Sequence, residues 1–90
     1  MSKKELSILR NKIDELDKKL FSMIFKRMKI AKKIGEVKIQ HEIEITNSGR
    51  EDELIKQILN LPDNCLDQAE IELIYKSFFY ISKKRQKINK

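Results

Sequence analysis

Apolar residues recur through the first forty positions of the chain at alternating steps of three and four. This spacing puts them on one stripe of an α-helix, and its persistence over five heptads is typical of helices that associate. We predict a first helix from about residue 3 to 40, opened by a capping box at Ser2 and Glu5. The stripe, called the seam below, consists of Leu6, Leu9, Ile13, Leu16, Leu20, Met23, Arg27, Ile30, Ile34 and Val37.

The predicted first helix is too long for a compact chain of this size. It extends roughly 50–55 Å at 1.5 Å per residue, whereas a compact protein of 90 residues has a radius of gyration of about 12 Å. Part of the seam therefore lies beyond the rest of its own chain, and a second copy would cover it, which predicts a homodimer. Gly35 is expected to be a local weak point, worth about 1 kcal/mol against alanine.

A connector and a shorter helix follow. Residues 41–46 alternate polar and β-branched side chains, but no second strand exists to pair with them, so we interpret them as an irregular or partly helical connector. Helix 2 is predicted at about 49–60, capped by Asn47 or Ser48, and the turn at Pro62 ends it.

Helix 3 is opened by Asp67 and Glu70, which again have capping-box spacing. Its apolar stripe comprises Ile71, Ile74, Phe78, Ile81 and Ile88. The expected fold is therefore all-α, with one long helix, a short second helix and a third helix in a single domain over residues 1–90.

Charge is distributed unevenly along this basic chain, whose formal net charge is +6. Residues 1–38 carry twelve Lys/Arg against five Asp/Glu (+7), residues 39–70 two against eight (−6), and residues 71–90 six against one (+5). Nucleic-acid binding is one interpretation of this balance, and solvated helix faces are another. We favour a small anionic ligand held between the two basic helices.

Several function classes lack the residues that they need. Cys65 and His41 are each the single residue of their type, so an intrachain disulfide and a thiolate–imidazole metal cluster are excluded, and no metal or cofactor is expected. No stretch reaches the ~18 apolar residues of a membrane span, and the N-terminus lacks the apolar core of a signal peptide. We expect a cytoplasmic protein.

Arg27 is the charged exception in the seam. An uncompensated guanidinium there would cost several kcal/mol, so an anion from the protein or from a ligand should meet it. Lys38 lies eleven residues later, on nearly the same face and ~16 Å along the axis. Arg10 lies ~25 Å before Arg27 and about 100° around the helix, so it would reach only the site of a partner in an antiparallel dimer.

Other polar residues complete a candidate constellation. Ser82 and Gln86 share one face of helix 3, and Arg50 and Glu51 begin helix 2. Taken singly, each has a simpler explanation as a surface, packing or capping residue. Together they offer cations, a hydroxyl, an amide and a carboxylate, without an activated nucleophile or a metal set. A unimolecular rearrangement of a polyanion needs no more than binding and electrostatic stabilisation.

With these residues, the chain resembles the all-helical (AroQ-class) chorismate mutases over nearly its whole length. The resemblance rests on residues 9–38, on the Arg50-Glu51 pair and on the segment 82–86. It implies an intertwined homodimer with two sites, each built from both chains, and the rearrangement of chorismate to prephenate on the route to phenylalanine and tyrosine.

The resemblance also implies the main catalytic roles. Arg27 and the partner's Arg10 would clamp the two substrate carboxylates, and Lys38 would contact a carboxylate as well. Lys38 and Gln86 would hydrogen-bond the ether oxygen, where negative charge develops as the C–O bond breaks.

Supporting roles follow from the same resemblance. Glu51 would receive the substrate hydroxyl, Ser82 would assist at a carboxylate, Arg50 would support the site, and Ile34 would form part of an apolar wall. Asn47 stands where the family often has Asp, and its substrate contact can come from the backbone.

Three alternatives remain open from the sequence. The first is an isochorismate pyruvate-lyase of the same fold, the second a basic helical dimer that binds nucleic acid, and the third a non-catalytic dimerisation or regulatory domain. The start at Met and the end of helix 3 favour a free-standing enzyme over a piece of a larger two-domain enzyme.

Overall fold

The computed structural model describes residues 2–87, which form three α-helices joined by two connectors. The helices are α1 (Lys3–Gln40), α2 (Ser48–Leu59) and α3 (Gln68–Lys87). No strand occurs in this range, so the all-α prediction is confirmed, with bounds of α1 and α2 within one residue of those expected. Ile88, which we assigned to the stripe of helix 3, lies outside the described residues.

Side-chain caps begin the first and third helices as predicted. Ser2 Oγ accepts a hydrogen bond from the Glu5 N–H at 3.1 Å. At α3 the box is reciprocal, because Asp67 Oδ1 accepts from the Glu70 N–H at 2.8 Å while Glu70 Oε1 accepts from the Asp67 N–H at 2.9 Å. These bonds satisfy N–H groups that have no partner within the helix.

The cap of α2 is Asn47 rather than Ser48. Asn47 Oδ1 accepts from the Arg50 N–H at 3.0 Å, and Ser48 is the first helical residue. Of the two residues that the sequence offered as the cap, Asn47 is the one that caps α2 in the structure. A short polar side chain in the extended conformation is well suited to this position.

The end of α1 turns the chain sharply. The Ile43 N–H donates to the Lys38 carbonyl at 2.8 Å and the Glu42 N–H to the Ile39 carbonyl at 3.3 Å. This is the bonding pattern of a Schellman motif, in which the residue after the cap adopts a left-handed conformation. Glu42 has a φ of 55° where glycine is usual. The turn brings the connector back alongside Lys38.

α3 packs against both other helices and forms the small core of the chain. The buried residues of α1 lie on a stripe beside the seam, and Ile71 of α3 is 1% exposed. The nine apolar seam residues, by contrast, are 40–63% exposed. The core of α1 consists instead of Met28, Ala31 and Gly35.

Gly35 lies where the backbones of α1 and α3 come close together. A Cβ at this position would lie 2.5 Å from the Cα of Gln86 and 2.6 Å from its carbonyl oxygen. No side chain fits at such distances, so the absence of a Cβ lets the two backbones touch. The expectation that Gly35 is merely a weak point of the helix was therefore incomplete.

The N-terminal half of α1 extends beyond the rest of the chain. All residues from 2 to 23 are exposed, the longest dimension is 57 Å, and the radius of gyration is 16.9 Å, well above the ~12 Å of a compact chain of this length. None of the helices in the described range has the length and apolarity needed to cross a membrane.

Candidate functional site

A cavity of about 410 Å³ lies where the C-terminal half of α1, the start of α2 and the C-terminal half of α3 meet. Its wall contains eight of the nine site residues expected from the sequence. Arg10 does not line it. The eight are Arg27, Ile34, Lys38, Asn47, Arg50, Glu51, Ser82 and Gln86.

Arg27 is held by neutral groups. Its Nη1 donates to Ser82 Oγ at 2.5 Å, and the guanidinium carbon lies 5.4 Å from the centre of the Phe78 ring. Among residues 2–87 no carboxylate lies within ion-pair distance of this side chain. The seam arginine is therefore oriented by its own chain, and its charge is left for another anion.

Ser82 is 7% exposed and links Arg27 to the core. While it accepts from the guanidinium, its hydroxyl donates to Met28 Sδ at 3.8 Å. The hydroxyl thus uses both its donor and an acceptor lone pair. This arrangement fixes the Arg27 side chain at the cavity wall.

Lys38 is anchored by the connector that follows α1. Its Nζ donates to the backbone carbonyl of Ile45 at 2.7 Å. An ammonium has three donors, so this bond orients Lys38 and leaves donor capacity toward the cavity that it lines. The Schellman turn at Glu42 makes the contact possible because it reverses the chain within seven residues.

Gln86 lines the same cavity with a side chain that is only 7% exposed. Its Oε1 is buried and has no hydrogen-bond partner among the described residues. Unpaired buried amide oxygens are rare and costly in folded proteins. A buried amide with spare hydrogen-bonding capacity at a cavity wall is typical of a binding site.

The first turn of α2 forms the opposite wall. Glu51 Oε2 lies 3.1 Å from Lys83 Nζ of α3. The Arg50 guanidinium pairs with Glu53 at 2.8 Å, and both of these side chains are more than half exposed. Glu51 therefore belongs to the cavity through its side chain, while Arg50 is directed partly along its own helix.

The electrostatic character of the cavity is cationic. Four of its lining residues are Lys or Arg and one is Glu, which gives a formal charge of +3 from 4 − 1. No group of three His, Cys, Asp or Glu side chains that could hold a metal occurs within residues 2–87. Such a cavity attracts small polyanions and concentrates them by its field.

Two polar contributors to the cavity wall, Lys83 and Ile45, were not predicted from the sequence. Lys83 is one of many lysines in the chain, and only the packing of α3 on α2 singles it out. Ile45 contributes through its carbonyl, for which no sequence signal exists. The remaining wall is apolar or aromatic and comprises Ile30, Ala31, Leu54, Tyr75 and Phe79.

Comparison with known proteins agrees with this arrangement. The family model of chorismate mutase type II matches residues 9–87. A bifunctional chorismate mutase/prephenate dehydratase from Aquifex aeolicus is 39% identical over 57 residues, which cover 63% of this chain and 16% of the length of that relative. The match to the family model includes α1 from residue 9 onward, all of α2 and α3, and every residue of the cavity wall. The chain belongs to the chorismate mutase type II family.

Proposed function

We propose that this protein is a chorismate mutase, which converts chorismate to prephenate by a unimolecular rearrangement. In this reaction the ether C–O bond of the substrate breaks while a new C–C bond forms, and no proton, water or cofactor is consumed. The observation that carries the proposal is the oriented Arg27, held by Ser82 and Phe78 without a protein carboxylate. A substrate carboxylate supplies the missing anion.

Two groups act where charge develops during the reaction. Lys38 and Gln86 donate hydrogen bonds to the ether oxygen, which gains negative charge as the C–O bond breaks. Donors fixed in advance at such an atom stabilise the transition state more than the ground state. The anchoring of Lys38 on Ile45 and the burial of Gln86 support this role, because both limit reorganisation during the reaction.

The other wall residues bind and orient the substrate. Arg27 and Lys38 engage carboxylates, with assistance from Ser82, while Glu51 accepts the substrate hydroxyl. Clamping both ends of a flexible dianion favours the conformation in which the reacting carbons are close together.

Asn47 and Arg50 support the start of α2, and Ile34 contributes apolar wall. Asn47 caps the helix on which Arg50 lies. The side-chain oxygen of Asn47 is engaged in the cap, and its carbonyl accepts from the Glu51 N–H at 3.1 Å, so a backbone contact with the substrate would come from the Asn47 N–H.

A second copy of the chain completes the site in this proposal. Arg10 projects from the exposed half of α1 and does not line its own cavity. The exposed apolar seam supplies the surface for an antiparallel dimer, since leaving nine such residues in water is unfavourable. In that dimer the partner's Arg10 meets the second carboxylate.

The decisive experiment follows the ultraviolet absorbance of chorismate with the wild type, Arg27→Ala and Lys29→Ala. The kcat/KM of Arg27→Ala is expected to be at least about 100-fold lower than that of the wild type, because the variant lacks a pre-oriented donor to the substrate. Lys29 is exposed outside the cavity, so its variant should match the wild type. Absence of turnover by the wild type would overturn the proposal. Isochorismate assayed separately, with the products identified, distinguishes a lyase.

A further inference from the structure

Lys83 is a charged wall residue that the proposed chemistry leaves without a role. It lies one residue after Ser82, about 100° around α3, and it faces the first turn of α2. Its Nζ is 3.1 Å from Glu51 Oε2, and the two side chains are 30% and 24% exposed. Partial burial distinguishes this ion pair from the other two of the described residues, whose side chains are all more than half exposed.

The ion pair gives the two oxygens of the Glu51 carboxylate different surroundings. Oε2 lies 3.1 Å from Lys83 Nζ, while Oε1 accepts no hydrogen bond from residues 2–87. A carboxylate fixed at one oxygen has a restricted side-chain torsion and keeps acceptor capacity at the other. It is therefore prepared to accept a hydroxyl hydrogen in a defined direction.

The ion pair also reduces the repulsion between the Glu51 carboxylate and an anionic substrate. Glu51 is the single carboxylate among the lining residues, and without a cation beside it this carboxylate would repel the nearest carboxylate of a dianionic substrate. Lys83 supplies the compensating charge from a different helix, so Glu51 retains its hydrogen-bonding ability without opposing the substrate.

We propose that Lys83 is a positioning residue, which through its ion pair holds Glu51 for the substrate hydroxyl and thereby favours hydroxyl-bearing dianions. This inference rests on the proposed function. Lys83 acts through Glu51 and not by contact with a substrate carboxylate. It is therefore expected to affect substrate binding more than the chemical step, because a hydroxyl contact is present in both ground and transition states.

A double-mutant cycle on the full chain tests this coupling. The variants are Lys83→Met, Glu51→Gln and the double variant, with Lys84→Met as the matched control. Lys84 is exposed over the Tyr80 ring and outside the cavity. Lys83→Met should raise KM about five- to twentyfold with little change in kcat, and Lys84→Met should leave both unchanged. In the Glu51→Gln background, Lys83→Met should change kcat/KM by less than about twofold.

Three outcomes would overturn the inference. They are wild-type kinetics in Lys83→Met, multiplication of the two single effects in the double variant, and a lower free energy of unfolding with unaltered KM. Lys83→Arg, which keeps the charge, should recover most of the wild-type KM. Turnover by the wild type with an unaffected Lys83→Met rejects only this inference, whereas absence of wild-type turnover rejects the proposed function as well.

Discussion

Gly35 of α1 and Gln86 of α3 are in backbone contact, with space for no side chain at residue 35. A Cβ there would lie 2.5 Å from the Cα of Gln86. Because Gln86 is also a wall residue of the cavity, the glycine sets how far its amide reaches between the helices. Packing and the proposed catalysis thus depend on the same contact.

Gly35→Ala is therefore expected to destabilise the protein despite the better helix propensity of alanine. Overpacking typically costs about 1–3 kcal/mol, which exceeds the gain of about 1 kcal/mol from replacing glycine. Urea unfolding measures the stability, and the chorismate assay should show reduced kcat/KM because Gln86 is displaced. Gly49→Ala is the matched control, since its Cβ would meet only Asn47 Oδ1 at an ordinary 3.6 Å. Equal or higher stability of Gly35→Ala would contradict the assigned contact.

Glu42→Gly should stabilise the protein. Glu42 has a φ of 55°, and a left-handed conformation costs a non-glycine residue about 1–2 kcal/mol. The greater freedom of glycine in the unfolded chain offsets part of this gain, so a net increase of roughly 0.5–1 kcal/mol is expected in urea unfolding. Glu44→Gly adds the same freedom at a position without positive φ and should be neutral or destabilising. A loss of stability in Glu42→Gly would show that the turn is not strained.

Gln86→Glu should make activity acid-dependent. An amide donates its N–H at any ordinary pH, whereas a carboxyl group donates only when it is protonated. The kcat/KM of the variant is therefore expected to fall as pH rises through the titration of that carboxyl, while the wild type shows no acid optimum. A pH profile for Gln86→Glu as flat as that of the wild type would count against Gln86 as the donor to the ether oxygen.

Leu16→Glu should weaken self-association. Leu16 is a seam residue with 62% of its surface exposed, and a charge there would be buried against a second copy. Sedimentation equilibrium should show a shift from dimer to monomer, with a lower midpoint of unfolding. Ser7→Glu adds the same charge nine residues away, about 180° around α1, and should remain dimeric. Identical association of the two variants would argue against the seam as the interface.

Mixing Arg10→Ala with Arg27→Ala tests whether sites are shared between chains. Each variant alone should be nearly inactive. Random exchange makes half of the dimers mixed, and each mixed dimer has one intact site, so about a quarter of the wild-type activity should return. No recovery after exchange has been verified by mass spectrometry would exclude Arg10 as a residue that acts in the partner's site.

Much of the fold follows from local patterns in the sequence. The seam predicts α1, and short polar residues three positions before Glu predict the starts of α1 and α3, because helix periodicity and capping are local effects. Part of the candidate site could also be predicted from the sequence. Helix geometry alone places residues 27 and 38 on nearly the same face of α1. The resemblance to a known family then added the roles of residues on α2 and α3.

The remaining features arise from tertiary packing. The sequence alone does not distinguish Lys83 from neighbouring lysines, because its pairing with Glu51 depends on how α2 lies against α3. From the sequence, Gly35 is predicted only to weaken its helix, because the low helix propensity of glycine is a local property. The close contact of its backbone with Gln86 depends on tertiary packing and is seen only in the structure.

The seam illustrates the same division. Its apolar spacing determined one long helix with an arginine among its apolar positions. Only the structure decided that the chain's own core uses a neighbouring stripe of α1, and that Arg27 is held by Ser82 and Phe78. Periodicity specifies which residues share a face, whereas the partner of each face depends on how separate helices pack.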